Sequence, residues 1–310
     1  MSVQGSKLTI FAAIAANILI AVMKFIAAFF TYSSAMLSEG IHSLIDTTNG
    51  LLLLFGIHKS KVGPDKLHPF GHGKEIYFWS FIVSILIFAL GGGVAIYEGI
   101  HRIMHPAIET GSSNILWNYV VLVGAILFEG TSLYIGLKQF RKEHPIGFKS
   151  ALTESKDAAS LAIIVEDTAA VTGLFIALIG VSIAHFLDAP IYDALASIFI
   201  GILLVYVAYF MAKETKNLLI GESASEENIE LINNILMQYK QIDFFGNIRT
   251  MHLAPDQVMV GIEINFADDL RVSEIEKIVS EIKDRIKKAN PYFVHIYLES
   301  NSIVKSTYKQ

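Results

Sequence analysis

Glu39, His42 and Asp46 lie within one long apolar stretch of the chain, and Glu166 and Asp167 lie within another. An ionisable group in hydrocarbon costs a few kcal/mol or more, so such groups usually face a pathway, pair with one another or bind an ion. Positions 39, 42, 46 and 49 are spaced by three, four and three, which puts Glu39, His42, Asp46 and Asn49 on one stripe of a helix. At 1.5 Å per residue from an outer end near 34, His42 and Asp46 lie ~12 to 18 Å deep. Counted from an inner end near 157, Glu166 and Asp167 lie ~14 to 15 Å deep. An imidazole and several carboxylates converging at one depth form a site for a divalent transition metal such as zinc. The competing reading is a set of buried hydrogen bonds between helices.

The elements that must position these groups are membrane helices. The chain has 310 residues, 53% hydrophobic and 17% charged, with a mean hydropathy of +0.50, too apolar for an ordinary soluble protein. Runs of about 20 mostly apolar residues, enough to cross the bilayer core, occur near 8–30, 34–57, 76–98, 114–137, 157–182 and 190–212. Six spans are expected. The first is expected to stay in the mature protein, because it is long, contains Lys24 and passes through a short Tyr32-Ser33-Ser34 turn into the second.

Lysine and arginine set the orientation. The 58–75 connection carries Lys59, Lys61, Lys66 and Lys74, and the 138–156 connection carries Lys138, Arg141, Lys142, Lys149 and Lys156. The alternate connections, 31–33, 99–113 and 183–189, hold only Arg102. Both termini are therefore expected on the cytoplasmic side of a multi-pass protein, assigned to a bacterial or archaeal plasma membrane. The net charge of −5 offers nothing basic enough for nucleic acid.

The expected transport domain spans 1–212, and a small cytosolic domain occupies 213–310. Lys213-Glu214-Thr215-Lys216 closes the last span, and Ser223-Ala224-Ser225-Glu226-Glu227 reads as a helix start with a capping serine and early acids. The pattern then predicts helix 226–240, strands 246–252 and 257–266, helix 272–289 and strand 293–299, an αββαβ α+β layer. A domain of roughly 80 residues often gains burial by pairing with a copy of itself, so a homodimer is expected.

The chain has no cysteine. Any metal here would have nitrogen and oxygen ligands, which disfavours Cu(I) and leaves zinc, manganese, iron or cobalt open. A second constellation lies in the 58–75 connection, where Asp65, His68 and His72 offer three ligands within eight residues. Such a loop can close around zinc or can simply solvate a turn.

Taken together, the Ser38-Glu39-Gly40-Ile41-His42-Ser43-Leu44-Ile45-Asp46 stretch, the His68-Pro69-Phe70-Gly71-His72-Gly73-Lys74 loop and the topology resemble the cation diffusion facilitators. That resemblance covers nearly the whole chain and implies a metal–proton antiporter of six spans with a ferredoxin-like cytosolic domain. It implies transport-site roles for His42, Asp46 and Asp167, and a loop zinc site at Asp65, His68 and His72. Ile163 stands where the family commonly has a histidine or aspartate. Glu166, favoured, Glu39 or water would then complete the coordination, and the Glu166-Asp167 pair resembles the zinc-transporter-nine sub-branch. An oxygen-richer site also raises the odds of manganese or iron. In the tail, Tyr297 stands where a family aspartate ligand would be, and Glu263 and Asn247 occupy histidine positions. A binuclear tail site is therefore not expected, and His252 and His295 read as core or strand-edge residues.

Lys24, Asn17, Glu98 and Glu129 are further polar residues in the spans and are assigned to no site. Lys24 could snorkel outward or pair with a carboxylate. Metal binds imidazole and carboxylate in their deprotonated forms, so protons compete for the same groups. The expected function is proton-coupled efflux of a divalent ion, with Zn2+ as cargo and as a possible loop ion, and Mn2+, Fe2+, Co2+ or Cd2+ as alternatives. Its partners are metal ions, protons and the lipid bilayer. The other readings are a metal-binding membrane receptor or a channel, which would need a continuous polar pore. A metalloenzyme would need an HExxH pair or nucleophile arrangement, and neither is present on these spans.

Overall fold

The computed structural model describes residues 3–105, 116–143 and 158–300. Its long helices are α1 (Val3–Thr31), α2 (Ser34–Ser60), α3 (Glu75–Met104), α4 (Leu116–Glu143), α5 (Ala158–Phe186) and α6 (Ile191–Ile220). All but α1 contain a described stretch long and apolar enough to cross a membrane, and α1 contributes the shorter apolar stretch Asn17–Thr31. The six-helix α-helical architecture expected from the apolar runs is present. The basic 138–156 connection falls largely outside the described residues.

Two compact units divide the chain. One holds the membrane helices through Lys216; the other joins Lys59–Glu75 to the chain from Asn217 onward. The loop between α2 and α3 thus belongs with the tail.

Within the membrane unit, α1 breaks from α2 at Tyr32, whose φ of 55° reverses the chain direction. The α2 N-terminus is held from α6: Asp193 accepts hydrogen bonds from Ser33 Oγ at 2.6 Å, Ser34 N at 2.6 Å and Ser34 Oγ at 2.9 Å. A carboxylate there satisfies helix-end N–H groups and suits the positive end of the helix dipole. One turn further, Ser38 Oγ and Ser197 Oγ lie 2.6 Å apart.

Helices α3 and α6 meet along small residues. A Cβ on Gly92 would meet Val205 Cγ2 at 2.6 Å, one on Gly99 would meet Ala194 O at 2.6 Å, and one on Gly201 would meet Ile96 Cγ1 at 2.6 Å. Close backbone approach of this kind replaces the missing hydrophobic drive between helices in lipid. The Gly91-Gly92-Gly93 run falls in a π-helical stretch of α3, Ile87–Gly93. Helix α6 runs past the charged 213–216 segment to Ile220, where Gly221 turns the chain at φ 115°. The charges end the apolar stretch without ending the helix, since lysine and glutamate are good helix formers.

In the second unit α7 (Glu226–Leu236) starts at Ser225, whose side chain accepts from Asn228 N. The strands are β1 (Ile242–Phe245), β2 (Arg249–Ala254), β3 (Gln257–Phe266) and β4 (Phe293–Ser300), with α8 (Val272–Ala289) before the last. β1 and β2 pair antiparallel with successive parts of β3, while β4 pairs parallel with it. The expected α+β layer is present, with two local differences. Helix α7 stops at Leu236 instead of 240, and the strand expected at 246–252 runs Arg249–Ala254 with a further, unexpected short strand, Ile242–Phe245, before it. β3 alternates half-buried and buried residues throughout, and α8 buries Ile278, Ile282 and Ile286 at a spacing of four.

Replacing Gly201 with leucine is expected to force α3 and α6 apart, costing about 1–3 kcal/mol or more by overpacking. A thermal melt of the detergent-solubilised protein should show a lower midpoint, and an unchanged melt would mean that the close approach is not limiting.

Candidate metal centre

The α2 stripe is buried: Glu39 and Asn49 are 0% exposed and His42 is 1% exposed, whereas Leu44 and Leu51 on the opposite side are about half exposed. His42 Nδ1 lies 3.3 Å from Asp46 Oδ1. From α5, Glu166 Oε1 accepts from Asn49 Nδ2 at 2.6 Å, and Asp167 Oδ2 accepts from Ser132 Oγ of α4 at 3.1 Å. The Asp46 carboxylate faces the like charges of Glu166, Glu129 and Asp167. Asp46 and Asp167 line one small cavity, of ≈ 40 Å³, together with Asn17, Ser43, Glu129 and Ser132. That volume suits an ion or a few waters and excludes an organic substrate.

Ile163 is 48% exposed, on the outward side of α5. It contributes nothing to the cavity wall, and His42 and Glu166, although buried, are not among the residues that line it either. Glu39 is committed elsewhere. Its Oε2 accepts from Lys24 Nζ at 3.1 Å, and the same ammonium donates to Ser43 Oγ at 2.7 Å and to Glu129 Oε1 at 3.0 Å. Lys24 is 0% exposed, so it pairs inward instead of snorkelling. Sequence reasoning weighed Lys24, Asn17 and Glu129 but left them out of the site. The available signal was the cost of an unpaired charge at that depth, which requires a cation in α1 to find carboxylates on other helices.

The loop triad belongs to the second unit. Asp65, His68 and His72 bring one ligand atom each within 4.8 Å of one another, and among the described residues they alone form such a group. His68 Nδ1 is 3.3 Å from Asp65 Oδ1, and His72 Nε2 is 3.5 Å from Asp65 Oδ2. The backbone N–H groups of His68, at 2.6 Å, and Leu67, at 2.8 Å, donate to Asp65 Oδ1. Those hydrogen bonds, His68's first, hold the Asp65 carboxyl below its ordinary value despite some desolvation. Stability gained this way is present above the ordinary carboxylate range and is lost as pH falls through the depressed value. The ligand set therefore keeps its negative charge in mild acid, and the donors fit zinc.

The loop is anchored to the tail. Phe70 packs edge-on against His295 at 5.2 Å, and Lys74 Nζ donates to Leu219 O at 3.3 Å. Gly73 approaches so closely that a Cβ would meet Leu253 O at 2.5 Å. His295 therefore has a packing partner. His252 is buried, and Glu263 pairs with Arg249 at 3.3 Å.

With this geometry, residues 10–220 match the family model described as the cation efflux transmembrane domain, and residues 224–301 match the cation efflux protein, cytoplasmic domain. The chain belongs to the cation diffusion facilitator family. It is 32% identical over 267 residues to a human mitochondrial protein named as a proton-coupled zinc antiporter, covering 85% of this chain and 46% of that one. It is 29% identical to metal tolerance protein C4 of Arabidopsis thaliana, covering 88% of this chain and 60% of that protein. To the manganese efflux system protein MneP of Bacillus subtilis it is 24% identical, covering 94% and 97% of the two. The chain thus spans about half the length of the mitochondrial relatives it matches.

Asp65→Ala is expected to remove one equivalent of bound Zn2+ from the purified chain, read by titration calorimetry, while leaving the helical signal unchanged. An unaltered stoichiometry would reduce the triad to a solvated turn.

Proposed function

We propose that the chain is a carrier for divalent transition-metal ions that expels its cargo from the cytosol in exchange for protons, with Zn2+ the first candidate. The observation that carries this reading is the small cavity between α1, α2, α4 and α5, lined by Asp46 and Asp167 from the two helices that supply the expected ligand pairs. Family membership and the zinc antiporter among its relatives support the same reading.

The chemistry follows from the donors. His42, Asp46, Asp167 and Glu166 bind metal only when deprotonated, so each ion bound displaces protons and each proton bound weakens the ion's hold. A site that opens alternately to the two sides converts that competition into exchange. Protons entering from outside occupy the ligands, release the ion there and reset the carrier. A binding site of this kind at mid-depth supports a carrier over a channel, and nothing in the donor arrangement calls for an enzyme's reaction.

A second cargo has its own support. The cavity wall offers oxygen donors from Asp46, Glu129 and Asp167 without an imidazole, and the manganese efflux relative matches along nearly its full length. Hard oxygen ligands suit Mn2+ better than they suit zinc. On either reading the termini and the 59–75 loop are cytoplasmic, in keeping with the basic residues there. The tail would pair two copies of the chain, and Asp65, His68 and His72 would hold a resident ion.

Flux of Zn2+ and Mn2+ into proteoliposomes under an imposed pH gradient tests this. Saturable metal uptake with opposite proton movement is expected, with loss to background in Asp46→Ala. Wild-type flux in that variant would sink the site assignment, and no flux of any divalent ion in folded wild type would sink the function.

A further inference from the structure

The Lys24 cluster is more than a tie between helices. An ammonium has three N–H donors, and in Lys24 all three are used, on Glu39, Ser43 and Glu129. Two of these partners, Ser43 and Glu129, also line the cavity that holds Asp46 and Asp167. Glu129 divides its carboxylate. One oxygen takes the ammonium, and the other is buried with no hydrogen-bond partner among the described residues. A fixed positive charge therefore stands directly behind the wall of the proposed transport cavity and shares a carboxylate with it.

An exchanger must reorient both with its metal ion and without it. Without the ion, the carboxylates around the cavity leave an excess of negative charge in a poorly screened interior, which opposes reorientation. Protons can neutralise the groups that release the metal. Glu39 and Glu129 have a permanent cation instead. When a dication enters, the second oxygen of Glu129 is available to it while the ammonium stays held by Glu39 and Ser43.

We propose that Lys24 is a tethered counter-cation that carries the charge of Glu129 while the carrier is without its ion, and that Glu129 lends its second oxygen to the ion when it binds. This rests on the transport reading above. It makes Lys24 a positioning and charge-balancing residue and Glu129 an additional ligand.

The test separates the loaded and metal-free steps. Exchange of labelled Zn2+ or Mn2+ for unlabelled ion across proteoliposomes needs only the loaded carrier, whereas net efflux driven by a pH gradient needs the metal-free return as well. Lys24→Gln is expected to lose net flux about tenfold more than it loses exchange, as removal of one partner from a buried ion pair leaves the other uncompensated. Equal losses in folded protein would make Lys24 a purely structural tie and overturn the proposal, and so would a variant in which neither rate changes. Should Lys24→Gln fail to fold, Glu129→Gln decides, because its amide oxygen still accepts from Lys24. In an Asp65→Ala background, which removes the loop ion, it is expected to weaken calorimetric binding of Zn2+ and Mn2+ about tenfold, and unchanged affinity there would overturn the ligand role. Wild type lacking both exchange and net flux would instead refute the transport function itself.

Discussion

Every charge placed inside the membrane unit has to be answered from within it, because lipid answers none. Lys24 shows how strongly this shapes the bundle. One buried ammonium on α1 reaches Glu39 and Ser43 on α2 and Glu129 on α4, so three helices share a single electrostatic centre. Asn49 and Ser132 extend the same logic to α5, by donating to Glu166 and Asp167. The helices bearing the candidate site groups are thus joined by polar atoms of those same groups. Altering the charge at one position disturbs partners on two or three others.

The remaining two helices do a different job. α3 and α6 approach through glycines and carry few ionisable groups at depth, and α6 reaches across to fix the start of α2 through Asp193 and Ser197. That clamp holds the N-terminal end of α2, just ahead of the 39–49 stripe. A tightly packed pair beside four charge-linked helices gives a bundle with two kinds of contact. One depends on shape, the other on protonation and bound ions. Only the second can respond to protons or ions, so on the proposed function a change of orientation would be driven at the contacts of α1, α2, α4 and α5.

Much of this was legible in the sequence, for reasons visible in particular residues. The spacing of Glu39, His42, Asp46 and Asn49 fixes one face of any helix that contains them, and that face is the buried one. The Asp65-His68-His72 cluster was legible because a short loop brings near neighbours in sequence together in space. Pairing across helices was less accessible. The link from Lys24 to Glu129 spans 105 positions, and no periodicity encodes which of several carboxylates a buried lysine will choose. The short strand Ile242–Phe245 was missed because its pairing depends on register against β3, a property of two segments at once. The continuation of α6 to Ile220 was missed because four charged or polar residues end an apolar run without breaking a helix.

The two candidate ion sites also differ in a way that bears on the question of cargo. The loop triad is two-thirds imidazole and half open to solvent, with Asp65 49% and His68 55% exposed. The donors in the wall of the membrane cavity are carboxylates, hydroxyls and an amide. Nitrogen donors favour zinc over manganese more strongly than oxygen donors do, so the two sites would rank the same metals differently. Metal that co-purifies with the protein, or that dominates an equilibrium titration, would then report the accessible loop. On the proposed function, the ion that crosses the membrane would be chosen by the cavity, where each ligand must release it again. A carrier selects by the difference between binding and release on opposite sides, so tight equilibrium binding at the loop is compatible with a cargo other than the metal found there.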